Sequence, residues 1–129
     1  MSMELKMLVW SIVLGLVQIA LAATLATGQR GFAWGAGARD GTPAPITPLA
    51  ARISRASANF LETFPLFAAA VLVLAATQRG DANTAIGAQM YFWARVAYVP
   101  AYASGISMVR TITWAVSITG LILVLRALF

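Results

Sequence analysis

The sequence has no cysteine and no histidine among its 129 residues. The first absence excludes disulfides, thiolate metal sites and a cysteine nucleophile, and the second excludes a histidine-based catalytic triad or zinc site. We therefore expect no metal site. Charge is also scarce, with nine Lys or Arg and four Asp or Glu. The basic residues lie singly, so the pI near 10.8 does not indicate nucleic-acid binding.

Apolar residues are what the sequence has in excess. They make up 60% of the chain, against about 45–50% in a soluble domain. A small soluble domain buries only about two-thirds of the surface that its unfolded chain exposes, so it cannot hide this much apolar surface. The composition predicts a single-domain integral membrane protein with the lipid bilayer as its surroundings.

Four apolar segments predict an all-α bundle of four transmembrane helices, since a spanning helix needs about 20 mostly apolar residues. The predicted helices occupy about residues 7–28, 48–78, 83–104 and 109–128. The first segment has a competing interpretation as a signal peptide, with Lys6 as its basic flank. Its uncharged run from Met7 to Thr27 is longer than a usual signal core, and Glu4 lies in the flank. Both features favour a retained span.

The only long connection covers residues 28–50, which are rich in glycine first and in proline afterwards. Pro43, Pro45 and Pro48 cannot all lie in a helix interior, so we predict a flexible surface loop here. Pro65 lies inside the second predicted helix, where its missing N–H predicts a kink.

The distribution of basic residues between the two membrane sides predicts the orientation. The side that holds the first and third loops carries five arginines, and the other side carries three basic residues. The first and third loops are thus predicted to be cytoplasmic and both termini to lie outside the cytoplasm. A short chain without a eukaryotic retention signal favours a bacterial inner membrane.

Two charged residues, Glu62 and Arg95, lie deep within apolar segments. A charge near the bilayer centre costs about 2.5–3.5 kcal/mol on insertion scales, so each is expected to face the bundle interior. The simplest arrangement is an ion pair between the second and third helices. Arg55 and Asn59 precede Glu62 at spacings that place all three on one helical face.

The third helix carries a matching polar face of Arg95, Tyr98 and Tyr102. Arg30, at the end of the first helix, and Arg110, at the start of the fourth, belong to the same membrane side. Guanidinium groups donate paired hydrogen bonds to carboxylates, and a carboxylate accepts hydrogen bonds from an ammonium. The two faces therefore predict a polar pocket near one membrane surface, suited to a small anion with several carboxylates.

The residues of these two faces resemble a known family. Residues 55–65 resemble the second-helix signature R-A-x-x-N-x-x-E-x-x-P of the MAPEG superfamily, the membrane-associated proteins in eicosanoid and glutathione metabolism. Residues 27–30 resemble the end of that family's first helix. Residues 91–102 resemble its third helix through the spacing A-R-x-x-Y-x-x-x-Y, and Arg110 falls about where the family carries its catalytic arginine.

The resemblance implies a four-helix bundle that assembles as a homotrimer and binds glutathione between neighbouring subunits. It implies that Arg110 is the catalytic residue, beside the glutathione sulfur, where a cation favours the thiolate. Arg30 is expected to act from the adjacent subunit. Arg30 and the residues of the two polar faces together form the candidate glutathione-binding set: Arg30, Arg55, Asn59, Glu62, Arg95, Tyr98 and Tyr102.

Three functions are compatible with these features. The first is a glutathione-dependent membrane enzyme that transfers the thiolate to a lipophilic electrophile or reduces a lipid peroxide, with glutathione as co-substrate. The second is a non-catalytic binding or scaffold protein on the same trimeric fold, favoured by the uncharged third loop. The third is a small proton-coupled exporter that uses Glu62, which the surrounding arginines disfavour because they would repel cationic drugs.

Overall fold

The structure is a computed structural model that describes all 129 residues, and it contains five helices. They are α1 (Met3–Arg30), α2 (Phe32–Ala36), α3 (Pro48–Thr77), α4 (Ala82–Ala103) and α5 (Ser107–Arg126). The all-helical prediction is confirmed. The structure has one helix more than the four predicted spans, because the five-residue α2 forms inside the first connection.

Three of these helices, α1, α3 and α5, are long and apolar enough to cross a membrane. With its 22 residues, α4 has the length of a span, since a rise of about 1.5 Å per residue carries it across a core of about 30 Å. Its polar residues Asn83, Gln89 and Arg95 make it less apolar than the other three. The structure therefore supports an integral membrane protein with three spans by composition.

The first connection, between α1 and α3, begins and ends at neighbouring positions, because residues at its two ends are hydrogen-bonded to each other. Gly31 has a φ of 92°, which glycine adopts without strain, and it separates α1 from α2. At the base, Gln29 Nε2 donates to Thr47 Oγ1 at 3.1 Å, and Thr47 N donates to Gln29 Oε1 at 2.8 Å. Thr47 also caps α3 by accepting a hydrogen bond from Ala50 N. The prediction of a loop without structure is wrong for residues 32–36, which form α2.

The helices α4 and α5 make the most extensive helix–helix contact, and a pair of glycines lets their backbones meet. A Cβ on Gly87 would lie 2.6 Å from the carbonyl oxygen of Gly120. A Cβ on Gly120 would lie 2.7 Å from the backbone nitrogen of Tyr91. Small residues at such a crossing replace side-chain contacts by close backbone packing, as is common between membrane helices. We call Gly87 and Gly120 the glycine contact.

The core is built from side chains of α1, α3, α4 and α5, with the largest share from α3 and α4. The rings of Phe67 and Tyr91 stack with their centroids 4.0 Å apart, and both side chains are fully buried. The hydroxyl groups of Tyr91 and Thr63 are 3.0 Å apart and hydrogen-bonded, which satisfies two polar groups within the apolar interior. Helix α3 continues through Pro65 to Thr77.

One end of the bundle is held together by polar side chains that bond to one another. Asp81 caps α4 by accepting from Thr84 N at 2.8 Å, and Asp81 N donates to Thr84 Oγ1 at 2.7 Å. The same Thr84 hydroxyl donates to the buried carboxylate of Glu4 at the start of α1. We call Glu4, Asp81 and Thr84 the closed end.

Candidate functional site

A cavity of about 460 Å³ opens between α3, α4 and α5 at the end of the bundle opposite the closed end. Its volume lies within the range of about 300–1,000 Å³ that is usual for small-molecule pockets. It carries charged and polar side chains in a protein that exposes many large apolar side chains along its helices. It is lined by Arg55, Ala58, Asn59, Glu62, Tyr98, Tyr102, Arg110, Thr111 and Trp114.

One face of α3 supplies three polar residues to the wall, Arg55, Asn59 and Glu62. They share a face because four and then three residues nearly complete successive helical turns. Ala56 and Phe60, on the opposite side, are buried in the bundle. The apolar side of α3 thus fixes the direction in which the polar side points.

Tyr102 is the point at which two arginines meet. Arg55 Nε donates to the Tyr102 hydroxyl at 3.0 Å. The guanidinium carbons of Arg55 and Arg110 lie 5.7 and 5.2 Å from the centre of the Tyr102 ring, within cation–π range. Tyr98 meets Tyr102 edge to face, with ring centroids 5.6 Å apart. These contacts bring two cations from different helices, Arg55 and Arg110, to one side of the cavity.

Arg95 does not line the cavity. Its side chain is 1% exposed, and its guanidinium carbon lies 4.3 Å from the Tyr98 ring centre and 5.6 Å from that of Phe60. Arg95 Nη1 donates to Asn59 Oδ1 at 2.9 Å. The predicted ion pair between Arg95 and Glu62 is wrong, because no nitrogen of Arg95 lies within 4.0 Å of a Glu62 oxygen, and the hydrogen bond of Arg95 goes to Asn59 instead.

Glu62 is an exposed carboxylate in an otherwise apolar stretch of α3, and it accepts no hydrogen bond from the rest of the chain. The structure contains no ion pair between any arginine or lysine and any carboxylate. No three His, Cys, Asp or Glu side chains come together as a metal site. The charged groups of the cavity are therefore two guanidiniums and one carboxylate, all free to meet a ligand that carries both signs of charge.

Arg30 does not reach the cavity of its own chain. Its Nε donates to the carbonyl of Ala44 at 2.8 Å, within the first connection. Together with Trp34 and Arg39 it lines a separate, smaller cavity of about 150 Å³ at the end of α1. The convergence of Arg30 with the other arginines is therefore absent within one chain.

Three lining residues were not predicted as site residues: Ala58, Thr111 and Trp114. Trp114 follows Arg110 by four residues, which places both on one face of α5. That spacing is visible in the sequence, but a tryptophan near a helix end equally indicates an anchor in the membrane interface. Trp114 adds an apolar surface beside the polar wall.

Comparison with known proteins identifies the family of the chain. The sequence profile of the MAPEG family matches residues 7–129, nearly the whole chain. A search of curated protein sequences finds no match. The extent of the family match, together with the apolar spans, leads to one conclusion. The chain is an integral membrane protein that belongs to the MAPEG family.

Proposed function

We propose that the protein is a glutathione-dependent membrane enzyme that activates the glutathione thiol for attack on a lipophilic electrophile. The observation that carries the proposal is a cavity with two unpaired guanidiniums and one unpaired carboxylate, in a protein of this family. Glutathione offers the complementary groups, because it has two carboxylates and one ammonium. Arg55 suits a carboxylate, and Glu62 suits the ammonium.

The reacting sulfur is assigned to the neighbourhood of Arg110. A cation beside a thiol lowers the pKa of that thiol and favours the thiolate, which is the nucleophile. A decrease of two pKa units corresponds to about 2.7 kcal/mol of differential stabilisation, which a partly desolvated guanidinium can supply. The thiolate then forms a C–S bond as the electron pair of the breaking bond moves to the leaving group. With a lipid peroxide it attacks one peroxide oxygen instead, the O–O bond breaks, and the lipid alcohol leaves after protonation. A second glutathione then converts the resulting sulfenic acid to glutathione disulfide and water.

Trp114 supports a lipophilic second substrate. It lines the cavity on α5 and is 40% exposed. An electrophile dissolved in the bilayer can therefore approach the cavity along an apolar surface. The polar wall of α3 lies on the other side of the same cavity, so the two reactants meet between them.

We further propose that four helices, α1, α3, α4 and α5, span the membrane and that the protein assembles as a homotrimer. An exposed carboxylate such as Glu62 is expensive against lipid, so a neighbouring subunit or ligand is expected to cover it. In the same assembly Arg30 of one subunit supplies a further cation to the cavity of the next. The arginine distribution favours an orientation with the first and third loops in the cytoplasm, and we propose a bacterial inner membrane as the location.

The test is an ultraviolet difference titration of the detergent-solubilised protein with glutathione near neutral pH. We expect saturable thiolate absorbance in the wild type. In Arg110→Ala the absorbance is expected to disappear, whereas binding measured by equilibrium dialysis is largely retained. Arg126→Gln is the matched control, because Arg126 is an exposed arginine in the last turn of the same helix.

The enzyme proposal is overturned if glutathione binds to the wild type without any thiolate signal, or if Arg110→Ala keeps both signal and turnover. The former outcome favours the second candidate, a membrane protein that binds glutathione or a similar anion without chemistry. One observation favours that candidate: the turn from Ser104 to Val109 is uncharged, so Arg110 is the only charged residue that α5 contributes to the cavity.

A further inference from the structure

The feature that the proposed function leaves unexplained is a buried charge without a counter-charge. Arg95 is 1% exposed, and its Nε and Nη2 atoms have no hydrogen-bond partner. Burying an unpaired charge is expensive, particularly in a membrane. The rings of Phe60 and Tyr98 offset part of this cost by cation–π contact. The one directed bond that Arg95 makes is the bond to Asn59.

That bond determines which way the Asn59 amide points. An asparagine side chain has one end that accepts hydrogen bonds and one end that donates them, whereas a guanidinium only donates. The oxygen of Asn59 must therefore face Arg95, because the reversed amide would place donor against donor. The NH2 group of Asn59 donates to nothing else in the chain, and the residue lines the cavity.

We propose that Arg95 is a positioning residue that holds Asn59 as a hydrogen-bond donor toward the cavity. The ligand atom that meets Asn59 is accordingly an acceptor, a carbonyl or carboxylate oxygen, and an ammonium or N–H group is rejected there. This inference rests on the proposed function insofar as the ligand is glutathione, but the orientation of the amide does not depend on it.

Arginine suits this role better than other residues of similar length. Its guanidinium stays protonated and has no acceptor atom, so it cannot bond to the NH2 end of Asn59. A glutamine at the same place could accept as well as donate, and the Asn59 amide would then lose its fixed direction. Tyr98, which lines the cavity, packs its ring against the same guanidinium. Arg95 thus contacts two residues of the cavity wall, Asn59 and Tyr98, from the buried side of that wall.

The decisive variant is Asn59→Asp, which keeps the size of the side chain and the contact with Arg95 but removes the donor. We expect it to keep or raise the melting temperature of the wild type, because the new carboxylate supplies a counter-charge to Arg95, and to weaken glutathione binding at least tenfold. Asn83→Asp, at an exposed position near the start of α4, is the matched control and is expected to bind normally. If Asn59→Asp binds as well as the wild type, the proposal is overturned.

The second variant is Arg95→Gln, with Arg126→Gln as its control. We expect Arg95→Gln to weaken glutathione binding about five- to tenfold while the pKa of the bound thiol stays as in the wild type. A purely structural role would lower the melting temperature and leave the affinity of the folded fraction unchanged, and that result would contradict the proposal.

The third measurement needs no ligand. Nitrogen-15 NMR of the Asn59 side chain is expected to show one amide signal pair in the wild type and doubled or exchange-broadened signals in Arg95→Gln. Identical spectra in the two proteins would overturn the proposal. A wild type that shows the expected spectra but binds no glutathione would instead overturn the proposed function and leave the inference about Asn59 standing.

Discussion

The two ends of the bundle treat polar side chains in opposite ways. At the closed end Glu4, Asp81 and Thr84 bond to one another, and the carboxylate of Glu4 is buried. At the cavity end Arg55 is exposed and Glu62 is both exposed and without a partner. The same chain therefore satisfies its polar groups at one end and leaves them open at the other.

The difference indicates what each end is for. Buried polar groups that bond to one another stabilise a fold, whereas exposed charged groups without a counter-charge in their own chain add little to its stability and are available to a ligand. Changes at the closed end are expected to alter stability and spare binding. Changes at the cavity end are expected to alter binding and spare stability.

The largest effect is expected at the glycine contact, because it joins the helices that carry both ends. Gly120→Leu places a side chain where the backbone of α4 already lies. We expect a loss of about 3 kcal/mol or more in the free energy of unfolding, since strong overpacking exceeds the usual penalty. Thermal unfolding in detergent measures it. Gly28→Ala is the control, because no atom lies within 4 Å of the added Cβ, and a comparable loss there would contradict the argument.

The next effect concerns the cavity end alone. Glu62→Gln removes the charge expected to meet the ligand's ammonium, and a hydrogen bond to a charged group contributes about 1.5–3 kcal/mol. We expect glutathione affinity to fall at least tenfold in equilibrium dialysis. The melting temperature is expected to stay unchanged or rise, because Glu62 has no partner in the chain. A clear fall in melting temperature would show that Glu62 has a structural role instead.

The closed end gives the reverse result. Thr84→Val keeps the shape of the side chain but leaves the Glu4 carboxylate and the Asp81 N–H without their bonds. We expect about 1–2 kcal/mol of destabilisation, since an unsatisfied buried group costs about 1–3 kcal/mol. The dissociation constant for glutathione is expected to stay the same. Thr119→Val, an exposed position on α5, is the control.

The smallest effect is expected at Tyr102. Tyr102→Phe keeps the ring that Arg110 contacts and removes the hydroxyl that accepts from Arg55. A neutral hydrogen bond of this kind contributes about 0.5–1.5 kcal/mol, which predicts a two- to tenfold loss of affinity. The thiolate signal of bound glutathione is expected to persist, because the ring contact with Arg110 is intact. Loss of that signal would assign the hydroxyl a direct part in thiol activation.

The sequence predicted the α3 face of the cavity well and the α4 face less well. Arg55, Asn59 and Glu62 lie within seven residues, so helical periodicity alone places them together. Periodicity also groups Arg95 with Tyr102, but seven residues correspond to about 10 Å along a helix. At the depth of Arg95 the same face meets the packed core, and from Tyr98 to Tyr102 it meets the cavity.

Other features depend on contacts that no local pattern shows. The helix α2 has five residues, too few for a periodic signal, and it forms beside a glycine at a positive φ. The glycine contact joins positions 87 and 120, which only the crossing of α4 and α5 brings together. The link from Glu4 to Thr84 likewise spans 80 residues. Local composition predicts elements, whereas these contacts follow from how the elements pack.

The mutual hydrogen bonds between Gln29 and Thr47 have a practical consequence for the first connection. Because these two hydrogen bonds join the beginning and the end of the segment, a longer segment would not change the distance between α1 and α3. Doubling such a loop costs only about 0.6 kcal/mol of chain entropy. The exposed glycines between residues 37 and 41 are accordingly a place where an epitope or a fluorescent domain can be grafted while the membrane helices keep their positions.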